Sequence, residues 1–483
     1  MWTTSTQMDN NKTNVSVLPS KYHGRGLFAT RDFLPGEVIL RERPLVAMQS
    51  LDNRQYVPAC GACFCFIGTC RQHLMLLAEA GDRSALMEEE ESRRMEAEAA
   101  TFPGAVLAPL VPCTMRCGEM YCSQKCREEH WDRGHRLLCV GHIPEHEAGS
   151  HPLVQYKMHA LRTNEIFLLV ADVVALILTR FESNGGDLSA ALSPFRDFVQ
   201  RPWWDVATNP DPVRDTSAFQ DMLRVLVKVA ADLLRQALLT HPGAPCATYR
   251  GSVESIVSPD FVAAVIGMFE QNNVGIRRDS VLSSFLVDHL MPNCSIDSTQ
   301  VYLQLLGRIL EDWEEGEEED EEGEEGAPDD GDEMCVADAG ISGADANGHE
   351  HDHHQHLGAV PPCSVSSRLP PASPSSARAL VEACLAKSQT SEIFSAVDGT
   401  ALLSLICCMN HSCQANCEVR WVGGVGGAPL MAELVAMEHL PGGGELFQSY
   451  IRVQGTSVED RRISLKEYGF ICQCALCSSG KSG

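Results

Sequence analysis

Cysteine and histidine residues recur along this sequence at the short spacings that metal ligands require. Eight of them lie in four pairs between residues 60 and 139, a cysteine triplet lies near the end of the chain, and one further cysteine closes the stretch Asn410-His411-Ser412-Cys413. The pairs are Cys60-x-x-Cys63, Cys113-x-x-x-Cys117, Cys122-x-x-x-Cys126 and His135-x-x-x-Cys139, and the triplet is Cys472-x-Cys474-x-x-Cys477. Because thiolates and imidazoles in sets of four bind zinc tetrahedrally, these residues predict three zinc ions, the third held by Cys413 and the triplet.

Four neighbouring residues are alternative ligands, namely Cys65, Cys70, His73 and His130. A disulfide framework is another alternative, since the chain has 21 cysteines. Residues 1–12, however, are polar and contain no apolar core of a secretory signal, which favours the cytoplasm and/or the nucleus. In those reducing compartments, closely spaced cysteines are more often zinc ligands than disulfides.

Asn410 and His411 can hold a polar ligand beside the third zinc ion. Their amide and imidazole groups form hydrogen bonds with such a ligand. The apolar run 401–409 leads into this pair, and Glu445 and Tyr450 follow downstream. The stretch therefore predicts a ligand pocket tied to a zinc site.

Gly24, Arg25 and Gly26 form a second candidate ligand segment, followed by a Pro35-Gly36 turn and a strand-like run at 38–40. Glycine permits positive φ and a close approach of the backbone to a ligand, although a hairpin turn alone is the alternative. If both segments serve one pocket, the chain near residue 25 must fold against residues 410–477. We expect this closure.

Together these motifs resemble those of SET-domain protein lysine methyltransferases. That family has a Gly-x-Gly-Leu-Phe-Ala turn, an Asn-His-Ser-Cys loop, a Gly-Glu-x-x-x-x-Tyr strand and a terminal Cys-x-Cys-x-x-Cys, and this chain carries them in that order from Gly24 to Cys477. The proline that usually follows the loop motif is missing, because Gln414 follows Cys413.

The eight-ligand cluster resembles a MYND zinc finger through Tyr121-Cys122-Ser123 and Trp131-x-x-x-His135-x-x-x-Cys139. Its Cys113 to Cys117 spacing is one residue longer than usual, and the spacer at 64–112 is unusually long. We expect a helix over most of that spacer, around 71–100. The resemblance is greatest to the fifth subclass of SET-MYND proteins, which lacks a C-terminal helical-repeat domain.

The implied fold class is α+β: a split SET β-fold with an inserted MYND double-zinc finger, a helical insert and a C-terminal zinc-binding post-SET tail. Apolar residues at helical spacing support the helical insert. They are Ile166, Leu169, Val170, Val173, Val174 and Ile177, then Met222, Val225, Leu226, Val229 and Leu233, and we expect both sets to face the core. The domain boundaries are 13–58 for the first SET part, 59–140 for the finger, 150–290 for the helical insert, 308–377 for an acidic and His-rich disordered insertion, 378–455 for the SET catalytic core and 456–483 for the tail.

The resemblance also implies roles for individual residues. Tyr450 is the catalytic tyrosine, and Tyr450 and Tyr468 line the substrate channel. The cofactor S-adenosyl-L-methionine is bound by Gly24, Arg25, Gly26, Asn272, Asn273, Asn410, His411 and Phe470. The finger interleaves its pairs, with Cys60, Cys63, Cys122 and Cys126 on one zinc ion and Cys113, Cys117, His135 and Cys139 on the other.

The charge distribution narrows the range of partners. Sixteen of the 65 acidic residues lie between Glu311 and Glu333, so the rest of the chain carries −11 of the net charge of −27. An acidic protein is a poor direct nucleic-acid binder, because phosphates require clustered Lys and Arg. Basic protein substrates, histones or ribosomal proteins, are expected instead, and MYND relatives dock proline-containing peptides. No membrane association is expected, since the longest apolar run, 166–178, contains Asp172 and is too short to span a bilayer.

The implied function is transfer of a methyl group from S-adenosylmethionine to a protein lysine. The main alternative is a catalytically inactive SET-MYND scaffold, favoured by the missing proline and by Val274, where relatives have a channel aromatic. A second alternative is a ubiquitin ligase whose zinc finger recruits a conjugating enzyme. That function would leave the motifs from Asn410 to Tyr450 unexplained. Metal buffering by the five histidines of 349–356 is the least favoured alternative.

Overall fold

A computed structural model of the chain describes residues 14–22, 24–78, 102–209, 215–241, 247–294, 297–324, 374–390, 393–424, 427–466 and 468–479. The chain divides into two compact units. The larger comprises residues 1–285 and 394–483, and the smaller comprises residues 286–393. The candidate site residues all belong to the larger unit.

The larger unit contains three main sheets and two short strand pairs, built from fourteen described strands. They are β1 Val15–Pro19, β2 Arg25–Ala29, β3 Val38–Glu42, β4 Val46–Gln49, β5 Gly68–Thr69, β6 Val106–Ala108, β7 Val111–Pro112, β8 Met120–Tyr121, β9 Asn273–Arg278, β10 Val397–Leu402, β11 Asn410–His411, β12 Cys417–Val422, β13 Met431–Ala436 and β14 Glu445–Gln448. The sheet orders are β1-β2-β14-β11, β4-β10-β9 and β12-β13-β3, and the pairs β5-β6 and β7-β8 lie within residues 59–140, the segment predicted as the finger. Each main sheet thus joins strands from distant parts of the sequence.

The first of these sheets brings the two ends of the candidate pocket together. β2 pairs antiparallel with β14, where Phe28 lies opposite Glu445. β14 in turn pairs in parallel with β11, where Asn410 lies opposite Phe447. The segment near residue 25 therefore folds against the Asn410 segment, as expected from the sequence.

The helices lie mainly between β8 and β9. They are α1 Leu51–Tyr56, α2 Cys70–Ala78, α3 Gln124–His130, α4 Arg136–Leu138, α5 Glu145–Ala148, α6 Pro152–Thr163, α7 Ile166–Ser183, α8 Leu188–Leu192, α9 Trp203–Val206, α10 Thr216–Thr240, α11 Ala247–Ile256, α12 Pro259–Asn272, α13 Leu282–Phe285, α14 Gln300–Glu324, α15 Pro374–Thr390, α16 Val458–Lys466 and α17 Ala475–Ser478. None of the described helices is by itself long and apolar enough to cross a bilayer. Only α11 and α12 taken together reach that length and composition, and they bend by 61° at their junction.

The two apolar stripes predicted in the helical region have different outcomes. In α7, the predicted residues Leu169 to Ile177 are buried, along with most of the rest of the helix. In α10 the helix is confirmed but the predicted face only in part, because Leu226 and Leu233 pack against the core whereas Met222, Val225 and Val229 are exposed. A neighbouring face is buried, and it consists of Phe219, Leu223, Val227, Ala230, Ala231, Leu234, Ala237 and Leu238. The sequence offers apolar residues on both faces, so periodicity alone selected a face that only partly meets the core.

The predicted disordered insertion at 308–377 is wrong at both edges. Residues 308–324 belong to α14, and 374–377 open α15. Tyr302, Leu306 and Ile309 are buried within the smaller unit, and the Cys384 thiol donates to the Leu306 carbonyl at 3.9 Å. Leucine and glutamate favour helix, so the acidic start of the insertion continues an amphipathic helix. Residues 325–373, with the His-rich stretch, lie outside the described residues, as do residues 79–100 of the predicted spacer helix, whose first residues belong to α2 Cys70–Ala78.

Candidate functional site

The first metal-ligand group joins both ends of the finger. Cys60, Cys63, Cys122 and Cys126 are buried, and their sulfur atoms all lie within 4.8 Å of one another. Cys122 follows β8, and Cys126 lies in the first turn of α3. The Ser123 side chain caps that helix by accepting a hydrogen bond from the Cys126 amide at 3.2 Å, which fixes both ligands.

The second group consists of Cys113, Cys117, His135 and Cys139, again within 4.8 Å of one another. The Nε2 atom of His135 lies 3.5 Å from the Cys113 sulfur and 3.4 Å from the Cys117 sulfur. The extra residue in the first pair is accommodated by a left-handed turn, in which Arg116 has φ 57°. The structure thus brings together the two ligand sets that the family resemblance implied.

The third group links the Asn410 loop to the end of the chain. Cys413, Cys472, Cys474 and Cys477 lie within 4.8 Å of one another. Cys474 caps α17 by accepting from the Cys477 amide at 3.5 Å. All three groups offer four soft sulfur or nitrogen donors, which is the set that tetrahedral Zn²⁺ prefers.

The alternative ligands have other contacts. His73 is buried and bonds through Nε2 to the Ile67 carbonyl at 3.0 Å. His130 bonds through Nδ1 to the Tyr121 hydroxyl at 3.0 Å. Cys70 is buried outside the three groups. The thiol of Cys65 lies 3.5 Å from that of Cys63, next to the first group but outside its four-ligand set.

Asn410 lies at the centre of the candidate pocket. Its side-chain amide donates to the Arg25 carbonyl at 3.1 Å and to Oε1 of Glu445 at 2.8 Å. Gly26 allows this close approach, because a Cβ at that position would collide with the Glu445 carboxylate. Gly24 adopts φ +48° with open space around it, so the turn before β2 leaves room beside Arg25.

His411 connects the pocket to the third metal group. Its Nδ1 accepts a hydrogen bond from the Tyr450 amide at 3.0 Å, so Nδ1 carries no proton. Its Nε2 lies 3.3 Å from the Cys413 sulfur. Burial lowers the pKa of His411 to about 4. A neutral ring in this position therefore orients the backbone of Tyr450.

Aromatic rings cluster around Tyr450. The ring centroid of Tyr450 lies 5.1 Å from that of Tyr468 and 6.3 Å from that of Phe470, and the Phe470 ring is 5.8 Å from His411. Burial raises the pKa of Tyr450, so its hydroxyl stays protonated. Tyr468, in contrast, is 45% exposed, which places it at the rim of the aromatic cluster.

Two predicted cofactor ligands have their side-chain amides engaged elsewhere. Asn272 is buried at the end of α12, and its amide donates to the Met268 carbonyl at 2.7 Å and to the Val199 carbonyl at 3.1 Å. Asn273 is exposed at the start of β9, and its amide donates to the Phe269 carbonyl at 2.8 Å. Both amides cap the preceding helix, so these hydrogen bonds do not connect either residue to Asn410.

The structure also reveals residues that the sequence did not indicate. Glu42, at the end of β3, is buried, and its carboxylate accepts hydrogen bonds from the backbone amides of Ser404, Leu405 and Ile406. Burial raises the pKa of Glu42, and these three hydrogen bonds oppose that rise. Its role is to fix the backbone that leads into Asn410.

Asn416 is a second positioning residue. Its amide donates to the Glu445 carbonyl at 3.0 Å, and its Oδ1 accepts from the Phe447 amide at 2.8 Å. It thereby holds β14 beside the Asn410 loop. Its position three residues after Cys413 could have signalled a loop-closing side chain, because asparagine bonds readily to nearby backbone.

A model of the SET domain family matches residues 24–451 of this chain. Histone-lysine N-methyltransferase ATXR2 of Arabidopsis thaliana is 25% identical over 321 residues, 56% of this chain and 65% of that protein. Protein-lysine N-trimethyltransferase SMYD5 of Homo sapiens is 35% identical over 144 residues, 28% of this chain and 29% of that protein. The Danio rerio protein of the same name is 32% identical over 140 residues, 27% of this chain and 28% of that protein.

The chain thus spans less than two thirds of the length of each of these relatives. The family match, however, runs from the glycine turn at Gly24 to the residue after Tyr450 and includes the Asn410 loop. Mixed helices and strands, with three cysteine-rich ligand groups, accompany that match. This protein therefore belongs to the SET domain family.

Proposed function

We propose that this protein is a protein-lysine N-methyltransferase that uses S-adenosylmethionine and acts on a basic protein, such as a histone or a ribosomal protein. The observation that carries the proposal is the convergence of Arg25, Asn410, His411 and Tyr450 through the hydrogen bonds described above. Relatives named as lysine methyltransferases support it. The acidic composition favours a basic substrate.

Each residue of the pocket has a role in this proposal. S-adenosylmethionine, when bound, supplies the electrophilic methyl group. Asn410 and His411 hold the donor on one side, Gly24 to Gly26 hold it on the other, and Phe470 contacts its adenine. Asn272 and Asn273 remain proposed donor contacts, which would need groups other than the side-chain amides that cap α12.

The substrate lysine must lose its proton before it attacks. Its ordinary pKa is about 10.4, and burial among the rings of Tyr450 and Tyr468 disfavours the ammonium form. Much of the acceleration then comes from alignment of the amine with the methyl group. The protonated Tyr450 hydroxyl is suited to that alignment.

The three proposed zinc ions are structural. Four protein ligands fill each tetrahedral shell and leave no position for a catalytic water. We assign the first two ions to a MYND finger, which would dock proline-containing peptides. The third belongs to a post-SET tail, and the fifth subclass of SET-MYND proteins is the proposed subclass. The proposed location is the cytoplasm and/or the nucleus.

Two measurements on the zinc-loaded full chain test the proposal. Calorimetric titration with S-adenosylmethionine should give a saturable heat, and radiolabelled methyl donor should label lysines in a mixture of basic proteins. An inactive scaffold is the alternative favoured by Val274, which is buried in the core beside β10. A chain that binds no donor and labels no lysine would establish that scaffold and overturn the proposal.

A further inference from the structure

Cys407 and Cys408 occupy consecutive positions in the short 3-10 turn Ile406–Cys408 that leads into Asn410. The Cys407 thiol lies 3.8 Å from the carbonyl oxygen of Ser404, and the Cys408 thiol lies 3.7 Å from the same atom. Because both thiols share one acceptor, they lie on the same side of the turn. This pair is separate from the three metal-ligand groups found among the described residues.

One thiol of the pair is partly exposed, and the other lies directly behind it. Cys408 is 5% exposed, whereas Cys407 is partly exposed. The hydrogen bond between the two thiols raises the pKa of Cys407 and lowers that of Cys408. The thiolate form of a cysteine is the nucleophile toward thiol reagents.

The position of the pair links it to the proposed pocket. Charge on either thiol raises the pKa of Tyr450, after the larger effect of burial. The guanidinium of Arg25 lowers the pKa of both cysteines. The hydrogen bonds give the same placement, because the residues that follow the pair contact the pocket: the Met409 carbonyl accepts from the Tyr450 hydroxyl at 2.5 Å, and the Asn410 amide donates to the Arg25 carbonyl at 3.1 Å.

We propose that Cys407 and Cys408 form a modification site for reagents that bind two sulfurs at one centre, with trivalent organoarsenicals as the chemical class. The second half of the proposal, that occupation closes the methyl-donor pocket, rests on the proposed function. In the reaction, R–As=O and two S–H groups give R–As(S)₂ and water. Two As–S bonds form, the As=O bond and two S–H bonds break, and no oxidant or reductant is consumed.

The fixed ends of the turn explain why occupation would close the pocket. Glu42 holds the backbone amides of residues 404–406. On the other side, the Met409 carbonyl accepts the Tyr450 hydroxyl at 2.5 Å. Drawing both sulfurs onto one arsenic atom removes them from Ser404. Because hydrogen bonds hold the turn on both sides, we expect the displacement of the sulfurs to shift Met409 and Asn410.

Phenylarsine oxide is the probe, applied to the zinc-loaded full chain. We expect one phenylarsenic group per chain by intact mass, mapped to the peptide with Cys407 and Cys408, without zinc release to a chromogenic chelator. Cys407→Ser and Cys408→Ser should each bind the probe about a hundredfold more weakly, since the second thiol provides the effective concentration. Cys294→Ser, at a buried cysteine of the smaller unit, should bind it like the wild type.

Measuring S-adenosylmethionine binding after modification tests the second half of the proposal, the closure of the methyl-donor pocket. We expect S-adenosylmethionine affinity to fall at least about tenfold and to return when a dithiol removes the arsenical. Unchanged probe affinity in both serine variants, or an adduct on the zinc ligands, overturns the site. An adduct with unaltered donor binding overturns pocket closure. If the untreated wild type binds no donor while the adduct still forms, the proposed function fails and the site stands.

Discussion

The hydroxyl of Tyr450 donates a hydrogen bond to the backbone carbonyl of Met409 at 2.5 Å. The backbone amide of the same tyrosine donates a hydrogen bond to Nδ1 of His411 at 3.0 Å. These two bonds fix its ring beside the residue that precedes Asn410. The proposed catalytic group and the proposed donor loop therefore move together.

Tyr450→Phe should lower the rate of methyl transfer at least about tenfold, because loss of about 1.4 kcal/mol of alignment already gives that factor. Donor affinity should change little, since the ring and the His411 contact remain. Initial rates with labelled donor measure the effect. Tyr468→Phe is the comparison: its hydroxyl donates to the Tyr450 carbonyl at 3.4 Å and its side chain lies at the exposed rim, so its loss should be smaller. Equal rates in Tyr450→Phe and wild type would refute the catalytic assignment.

Glu42→Gln should destabilise the turn before Asn410. A carboxylate accepts all three backbone amides, whereas an amide turns an N–H toward at least one of them and leaves it unsatisfied, at a cost of about 1–3 kcal/mol. Urea unfolding and donor titration measure this, and both should weaken. Glu418→Gln is the control, because that exposed side chain pairs with Arg420 on the surface and such pairs contribute little. Equal unfolding midpoints for the two variants would contradict the role of Glu42.

The ligand groups could be predicted because short cysteine spacings restrict the chain to few geometries, and the three groups in the structure have the predicted members. The residues that position these groups, such as Glu42, could not be predicted from the sequence. Glu42 lies 362 residues from Ser404, and a single glutamate at a strand end is usually exposed. The family resemblance implies Asn272 as a cofactor contact, but in the structure its side-chain amide caps α12. Helix-capping and ligand binding use the same chemistry, and sequence alone does not separate them.

Arg278 connects the finger to the SET strands, so Arg278→Met should loosen the finger. Its guanidinium donates to the Cys63 carbonyl and the Gly423 carbonyl, both at 3.1 Å. Loss of two charge-assisted bonds should cost about 1.5–3 kcal/mol and speed zinc release to a chelator. Arg277→Met is the matched control, because Arg277 is 53% exposed and its ion pair with Asp398 spans 3.4 Å. Identical zinc release from the two variants would show that the finger is held by other contacts.

Cys474→Ser should remove one zinc ion and weaken donor binding. Serine is a poor zinc ligand, and the third group connects the tail carrying Phe470 to the loop carrying His411, whose rings are 5.8 Å apart. Metal analysis should give one zinc fewer per chain, and donor affinity should fall at least about tenfold. Cys294→Ser should retain the wild-type zinc content. A Cys474→Ser protein with unchanged zinc content would exclude the third group as a metal site.

Asp172 makes stability depend on pH. It is the one charged residue in the apolar run 166–178 of α7, and burial raises its pKa to about 7. The pKa of this carboxyl in the unfolded chain is about 3.9, so the folded state binds its proton more tightly. The resulting stability is fully present below that unfolded value and is lost as the pH rises through about 7.

Asp172→Asn should abolish this loss and be more stable than wild type at pH 8 by on the order of 4 kcal/mol. Between pH 6 and pH 8, where zinc ligands stay deprotonated when metal is bound, the wild type should lose on the order of 1 kcal/mol relative to the variant. Urea unfolding at several pH values measures the difference. Asp221→Asn, at a side chain 70% exposed on α10, should run parallel to wild type. Parallel profiles for wild type and Asp172→Asn would mean that the carboxylate stays ionised in the folded protein, because a neighbouring cation such as Lys157 outweighs its burial.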